Sequence, residues 1–374
     1  MIVKRYKVSL EPLSSIHVWG GSEAVIGIDG LIERDEVKII DFEKTFEKLN
    51  RDEVESFTKL FMNRRYRDAY NLIREKIVFK KILKNNTGRI LRENDKIKML
   101  PDPVIPGSSL KGYLRTVILN HLLTSMNSSE ASKLLSDTIS FREDPTHTAD
   151  SLERAVFTRK RPPKSRGFYD VLTLLSISDP VEKIDILTSI RRMDVIETLS
   201  SRSIASIYVE VFERGSLVYD LYISRPHDFD KLMISEDLMK TFSDIYDLSN
   251  DMINMMSKDL LNILREFGCK LVENELNKIK GINMFVNYQR FLEDVLNRLC
   301  EKESECVPAR IGFGGGHESK TIALYLKKNF PDKYNELRSF MEKHVRHTWD
   351  SLTVKTIDIN GKIIGLGWCK ICVR

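Results

Sequence analysis

The sequence lacks any uninterrupted apolar run near the roughly 20 residues that a membrane-spanning helix needs. It also lacks the apolar core of a secretion signal, since the opening MIVKRYKVSL alternates in the manner of a strand. A cytoplasmic location is the expectation. Strong charge of one sign is missing too. With 59 basic against 54 acidic side chains the formal net charge is +5. That is too weak to mark a nucleic-acid binder, so local clustering has to carry any such argument. Cysteine is scarce: five in 374 residues, all in the C-terminal third, which suits a reducing compartment. Cys369 and Cys372 form a CxxC, but a strand points positions three apart to opposite faces. Unrelated thiols are therefore expected rather than zinc ligands.

Catalytic signatures are absent as well. No paired-carboxylate, HExxH or Gly-x-Ser-x-Gly pattern occurs, and the aromatics do not form the clusters that stack bases in RRM domains. The run around Gly312, Gly314, Gly315 and Gly316 fails the Walker spacing, because Lys320-Thr321 follows Ser319. It fails the dinucleotide fingerprint too, which would put a glycine at His317. No metal and no nucleotide cofactor is called for. There is no internal repeat or low-complexity tract.

What is present is an ordinary globular composition, 42% hydrophobic and 30% charged. The length suits two modules, or one with large insertions. Alternation predicts strands over residues 2–10, 24–32 and 37–40, then a mainly helical insertion over 41–100, with helical periodicity as far as 84. A helix is expected over 108–123, after the prolines of 101–107. Short strands are expected over 171–178, 204–213 and 217–223, with Arg214-Gly215-Ser216 as a hairpin turn. Residues 228–304 read as a helical insertion, and 305–374 as a return to the core through the glycine cluster, a helix over 333–344 and a strand pair. The class is α+β, an antiparallel sheet with helices on one side.

Three loops can hold an anion. Pro106 and Gly107 open a helix whose head Ser108 or Ser109 can cap, with Lys111 and Arg115 four apart on one face. A capped helix with two snorkelling cations is the alternative. Four glycines in residues 312–316 can expose successive N–H groups as an anion nest, or form a mobile turn. His17, beside Gly20 and Gly21, can donate to a phosphate or act as a general base on a ribose hydroxyl, or be structural. A fourth segment carries Arg159, Lys160, Arg161, Lys164 and Arg166 around two prolines, an exposed basic loop. Contacts of this kind position an RNA backbone without reading its sequence.

The order of these loops resembles the RAMP superfamily of CRISPR proteins. The resemblance spans almost the whole chain: His17-Val-Trp-Gly-Gly21 after the first strand, Ile105-Pro-Gly-Ser-Ser-Leu-Lys-Gly112 with Arg115, Leu174 to Asp179, Val209 to Ser216, Ile311 to Thr321, and Leu366-Gly-Trp368 near the end. It is most similar to the family of the fifth Csm subunit of type III-A effector complexes. That likeness implies an RRM-like (ferredoxin-like) core with helical insertions. It also implies a non-catalytic subunit at the end of the complex that holds the 3′ side of the CRISPR RNA (crRNA) and assists its 3′-end maturation. The partners implied are crRNA, the repeated backbone RAMP subunit, the other Csm subunits and a host nuclease that trims crRNA. The expected RNA contacts, from the chemistry of the loops, are His17, Gly20, Gly21, Gly107, Ser108, Ser109, Lys111, Arg115, the glycines at 312 and 314–316, His317 and Lys320, with the basic loop as an auxiliary cationic arm. The family's first loop often reads His-Ile-Gly-x-Gly, from which Trp19 departs. Two rivals are a metal-independent RAMP endoribonuclease using His17 or His317, and a pure assembly protein.

Overall fold

Alternation in IVKRYKVSLEP buries Val8 and Leu10 and turns Lys7 and Ser9 to the other face, which makes Ile2–Pro12 a strand with one face on the core. The computed structural model describes residues 2–139, 150–160, 168–224, 236–345 and 353–374. Within them the first strand lies inside a large sheet. Leu10 faces Leu217 of the strand Arg202–Ser224 on one side and Ile371 of the strand Trp368–Val373 on the other. Beyond Trp368–Val373 comes Cys306–Arg310; beyond Arg202–Ser224 come Glu182–Glu197, Phe79–Asn85, Glu36–Ile40 and Gly30–Glu33. The architecture is α+β, as expected. The sheet is mixed rather than purely antiparallel, because Phe79–Asn85 runs parallel to Glu182–Glu197, and Lys96–Lys98 parallel to Arg202–Ser224.

Several local expectations need correction. Helices occupy Phe42–Phe46, Arg51–Met62 and Tyr66–Leu72, but Phe79–Asn85 is a strand, its period of two visible in the burial of alternate residues. Residues 24–32 split at a turn where Gly27 has φ +87°. Arg214-Gly215-Ser216 is no turn. One strand runs through it, paired with Glu182–Glu197, so the hairpin turns after Glu197 instead. Gly215 (φ +115°) sits at a register shift where an added Cβ would lie 2.5 Å from Ile184 O, a bulge rather than an end.

The helix Glu236–Ile279 crosses the sheet at Cys306–Arg310. The approach is so close that a Cβ on Gly268 would lie 1.9 Å from Pro308 O. Beside it, Val286–Leu299 buries Tyr288, Leu292 and Val295. Four of the cysteines are not unrelated thiols: Cys269 bonds Cys300, and Cys306 bonds Cys372 directly opposite it in the sheet. Sequence separations of 31 and 66 hide both pairings. Cys369 is a buried free thiol that donates to Ala309 O at 3.6 Å. Trp368 is fully buried and donates its indole N–H to Tyr288 Oη at 2.6 Å, so truncating it to alanine would cost about 3–5 kcal/mol. No described helix is long and apolar enough to cross a membrane.

Candidate nucleic-acid interface

The first loop is stitched from both sides. Leu13 and Ser14 donate backbone N–H groups to Trp368 O, Ile16 exchanges bonds with Phe212, and Gly367 donates to Ser15 O. His17 is thereby fully buried. Its Nδ1 meets Glu210 O at 2.7 Å, so it carries the proton and donates, while Nε2 has no hydrogen-bond partner among the described residues. Burial, with Lys98 nearby, pushes the imidazole down to about 4, and the ring is neutral near pH 7. Past it the chain surfaces: Trp19 is 50% exposed, and Gly20 is pinned by its N–H to Met99 O, 3.2 Å.

The head of the helix Gly107–Ser125 differs from the sequence reading. Neither Ser108 nor Ser109 caps it; Pro106 is the N-cap, and Asp179 accepts the Gly107 N–H at 2.9 Å. The helix end already holds a protein carboxylate where an anion was expected. A Cβ on Gly107 would lie 2.1 Å from Ser178 O, so this glycine serves packing against the sheet. Arg115 is also engaged, with Glu153 at 2.6 Å, Asp170 at 3.4 Å and the Phe157 ring beneath it.

The glycine loop is equally bound into the protein. Gly312 (φ +81°) passes over the first loop, where a Cβ would lie 2.2 Å from His17 O, and Phe313 donates its N–H to that same oxygen. Gly314 and Gly315 pack on Leu366 O and the Ser319 hydroxyl, and Gly316 turns at φ +68°. Because the N–H groups of Phe313 and Gly315 bond inside the protein, the loop is not a fully open nest. Its flanks are held by buried charge. Arg310 meets Glu275 at 2.8 Å, and Glu318 meets Lys278 at 2.9 Å and Lys327 at 3.2 Å. Burial alone would raise the Glu318 carboxyl, but Lys278, His317 and Lys327 outweigh it and hold it at about 2.

These three loops surround one cleft of about 460 Å³. Val18 and Trp19 come from the first loop, and Ser109, Gly112, Tyr113 and Thr116 from the helix. Arg310, Gly312, Phe313 and Lys320 come from the glycine segment. The helical four are spaced i, i+3, i+4 and i+7, a single face; Lys111 and Arg115 lie on another and do not line the cleft. Ser108 is exposed and Gly21 turns at φ +81°, both outside the cleft lining, while His317 is partly buried behind it. Arg159 and Lys160 belong to a short strand pair, Thr158–Lys160 with Phe168–Asp170; Arg161, Lys164 and Arg166 lie outside the described residues.

Two lysines, one at the rim of the cleft and one beside it, form no ion pair among the described residues. Lys320 is the one exposed at the rim. Lys355 sits 4.2 Å from the Phe313 ring centroid and donates to Phe313 O at 3.0 Å. Burial first, then repulsion from Lys320 and Arg310, brings it down to about 8. The buried hydroxyl of Tyr113, a lining residue, has no hydrogen-bond partner among the described residues. Gly112 has nothing within 4 Å of a would-be Cβ, although a helix-interior glycine costs roughly 0.5–1 kcal/mol against alanine. The sequence reading missed Lys355, Tyr113, Thr116 and Asp179. Only Gly112 carried a local signal, that unexplained cost.

No family profile matches the chain and no curated protein does. Solved structures do. What they share with this chain is the fold. One match is a chain from a cryo-EM structure of a Csm–crRNA–target RNA ternary complex of a type III-A CRISPR-Cas system, with TM-score 0.65 and 16% identity over 99% of this chain and 100% of that one. Another is the crystal structure of Csm5 from T. onnurineus, with TM-score 0.59 and 18% identity over 97% of this chain and 99% of that one.

Proposed function

We propose that the chain is a crRNA-binding structural subunit of a type III-A CRISPR effector (Csm) complex. It sits at the end that holds the 3′ side of the crRNA, beside the repeated backbone subunit, and assists 3′-end maturation without being the nuclease. A shared fold does not carry a function, so the reading rests on the cleft. The observation that carries it is the meeting of three distant loops around one open cleft with Lys320 at its rim and Lys355 beside it. A phosphodiester chain supplies the anion this arrangement lacks, and the open helix face at Gly112 lets a backbone come close. The non-catalytic part is supported by His17, whose imidazole is fully buried with its Nδ1 held by Glu210 O rather than presented to the cleft.

Photocrosslinking in a reconstituted Csm complex, with thiouridine in the crRNA, tests the assignment. Crosslinked peptides should come from the segments around residues 18–20, 109–116 and 311–320. Crosslinks to this subunit that avoid all three segments, or their absence in an assembled complex, would overturn it.

A further inference from the structure

Trp19 has an environment that packing does not explain. Half of its surface is exposed at the mouth of the cleft, although an indole is among the side chains with most to gain from burial. The ring is nevertheless held. Lys98 Nζ lies 4.1 Å from its centroid and is itself fixed by Glu23 at 3.1 Å. Behind the ring, the loop is anchored through Gly20 to Met99 and Pro101, close enough that a Cβ on Gly20 would lie 2.9 Å from the Pro101 backbone. A rigid aromatic backed by a cation is a surface ready to receive a second flat group.

We infer that Trp19 is a stacking platform for one unpaired nucleobase of the strand whose phosphates enter the cleft. The inference rests on the RNA-binding reading above and deepens it. A ligand matching this cleft must offer negative charge to Lys320 and a planar apolar face to Trp19 within one cleft. A single-stranded nucleotide chain offers both on every unit, whereas a duplex keeps its base faces stacked on one another. Trp19 then positions the strand and shows little base preference, because every base has a π-face.

The test uses the full chain with a short single-stranded RNA and the same strand made abasic throughout, read by tryptophan fluorescence and by competition binding. Intact RNA should quench a signal that Trp19→Phe alters. Trp19→Ala should weaken intact RNA about 5- to 100-fold, with Trp19→Phe in between, and should leave the abasic strand's affinity unchanged. Lys320→Ala should weaken both strands alike. Wild-type protein binding the abasic strand as tightly as the intact one would overturn the platform without relying on any variant. If Trp19→Ala binds like wild type while Lys320→Ala is weakened, the platform falls and the RNA cleft stands. If neither substitution changes affinity, the RNA-cleft reading falls as well.

Discussion

The floor of the cleft and its mouth are made by the same three loops, yet their residues do opposite work. On the floor, the groups that looked fit to bind phosphate are already spoken for. His17 donates to Glu210 O, the Gly107 N–H meets Asp179, Arg310 is held by Glu275, and Gly312 lies against His17 O. At the mouth, Trp19, Ser109, Gly112 and Lys320 face open space. The difference teaches that a glycine or a cation in a suggestive motif is not evidence of a ligand until its protein neighbours are counted. Floor substitutions should therefore damage the fold, and mouth substitutions the affinity.

The largest expected effect is on the floor. Gly312→Ala puts a Cβ 2.2 Å from a backbone carbonyl at φ +81°, and should cost on the order of 4 kcal/mol in denaturant unfolding. Next comes the pH dependence of His17. Its ordinary value of 6.5 is lowered in the fold to about 4, so the unfolded chain binds more protons in that window. Stability should fall by about 3 kcal/mol as pH drops from 6.5 to 4. His17→Asn, which keeps a donor for Glu210 O, should flatten that slope. Glu318 acts in a lower window: its contribution, present above 4.5, is lost toward about 2. The smallest effect, and the sharpest contrast, is Gly112→Ala at the mouth. It should raise helix stability by roughly 0.5–1 kcal/mol while lowering RNA affinity several-fold. A floor glycine that tolerates alanine, or a Gly112→Ala protein that binds RNA unchanged, would break the distinction.

Much of this was legible in the sequence, because it lay in local patterns. The first strand, the helix following Ile105-Pro-Gly and the order of the loops were readable from period and turn chemistry. The strand Glu182–Glu197 was not. Its first four residues, Glu182 to Asp185, are all exposed and show no alternation of burial. Gly215 looked like a turn because a glycine between strand-like segments cannot be told from a bulge without its partner strand. Lys355 reaches Phe313 only through the sheet, and Asp179 reaches Gly107 across 72 residues. Such pairings have no short-range signature. The bonding of four cysteines was hidden for the same reason.

The central claim is that the cleft, through Lys320 at its rim and Lys355 beside it, takes an RNA backbone irrespective of its sequence. A salt titration of affinity for two unrelated single-stranded RNAs measures it directly, comparing wild type with the double variant Lys320→Ala/Lys355→Ala. The account predicts about 10-fold weaker binding to both RNAs, and a salt slope shallower by roughly 0.7 for each phosphate no longer neutralised. Unchanged affinity and slope, or a weakening confined to one of the two sequences, would contradict it.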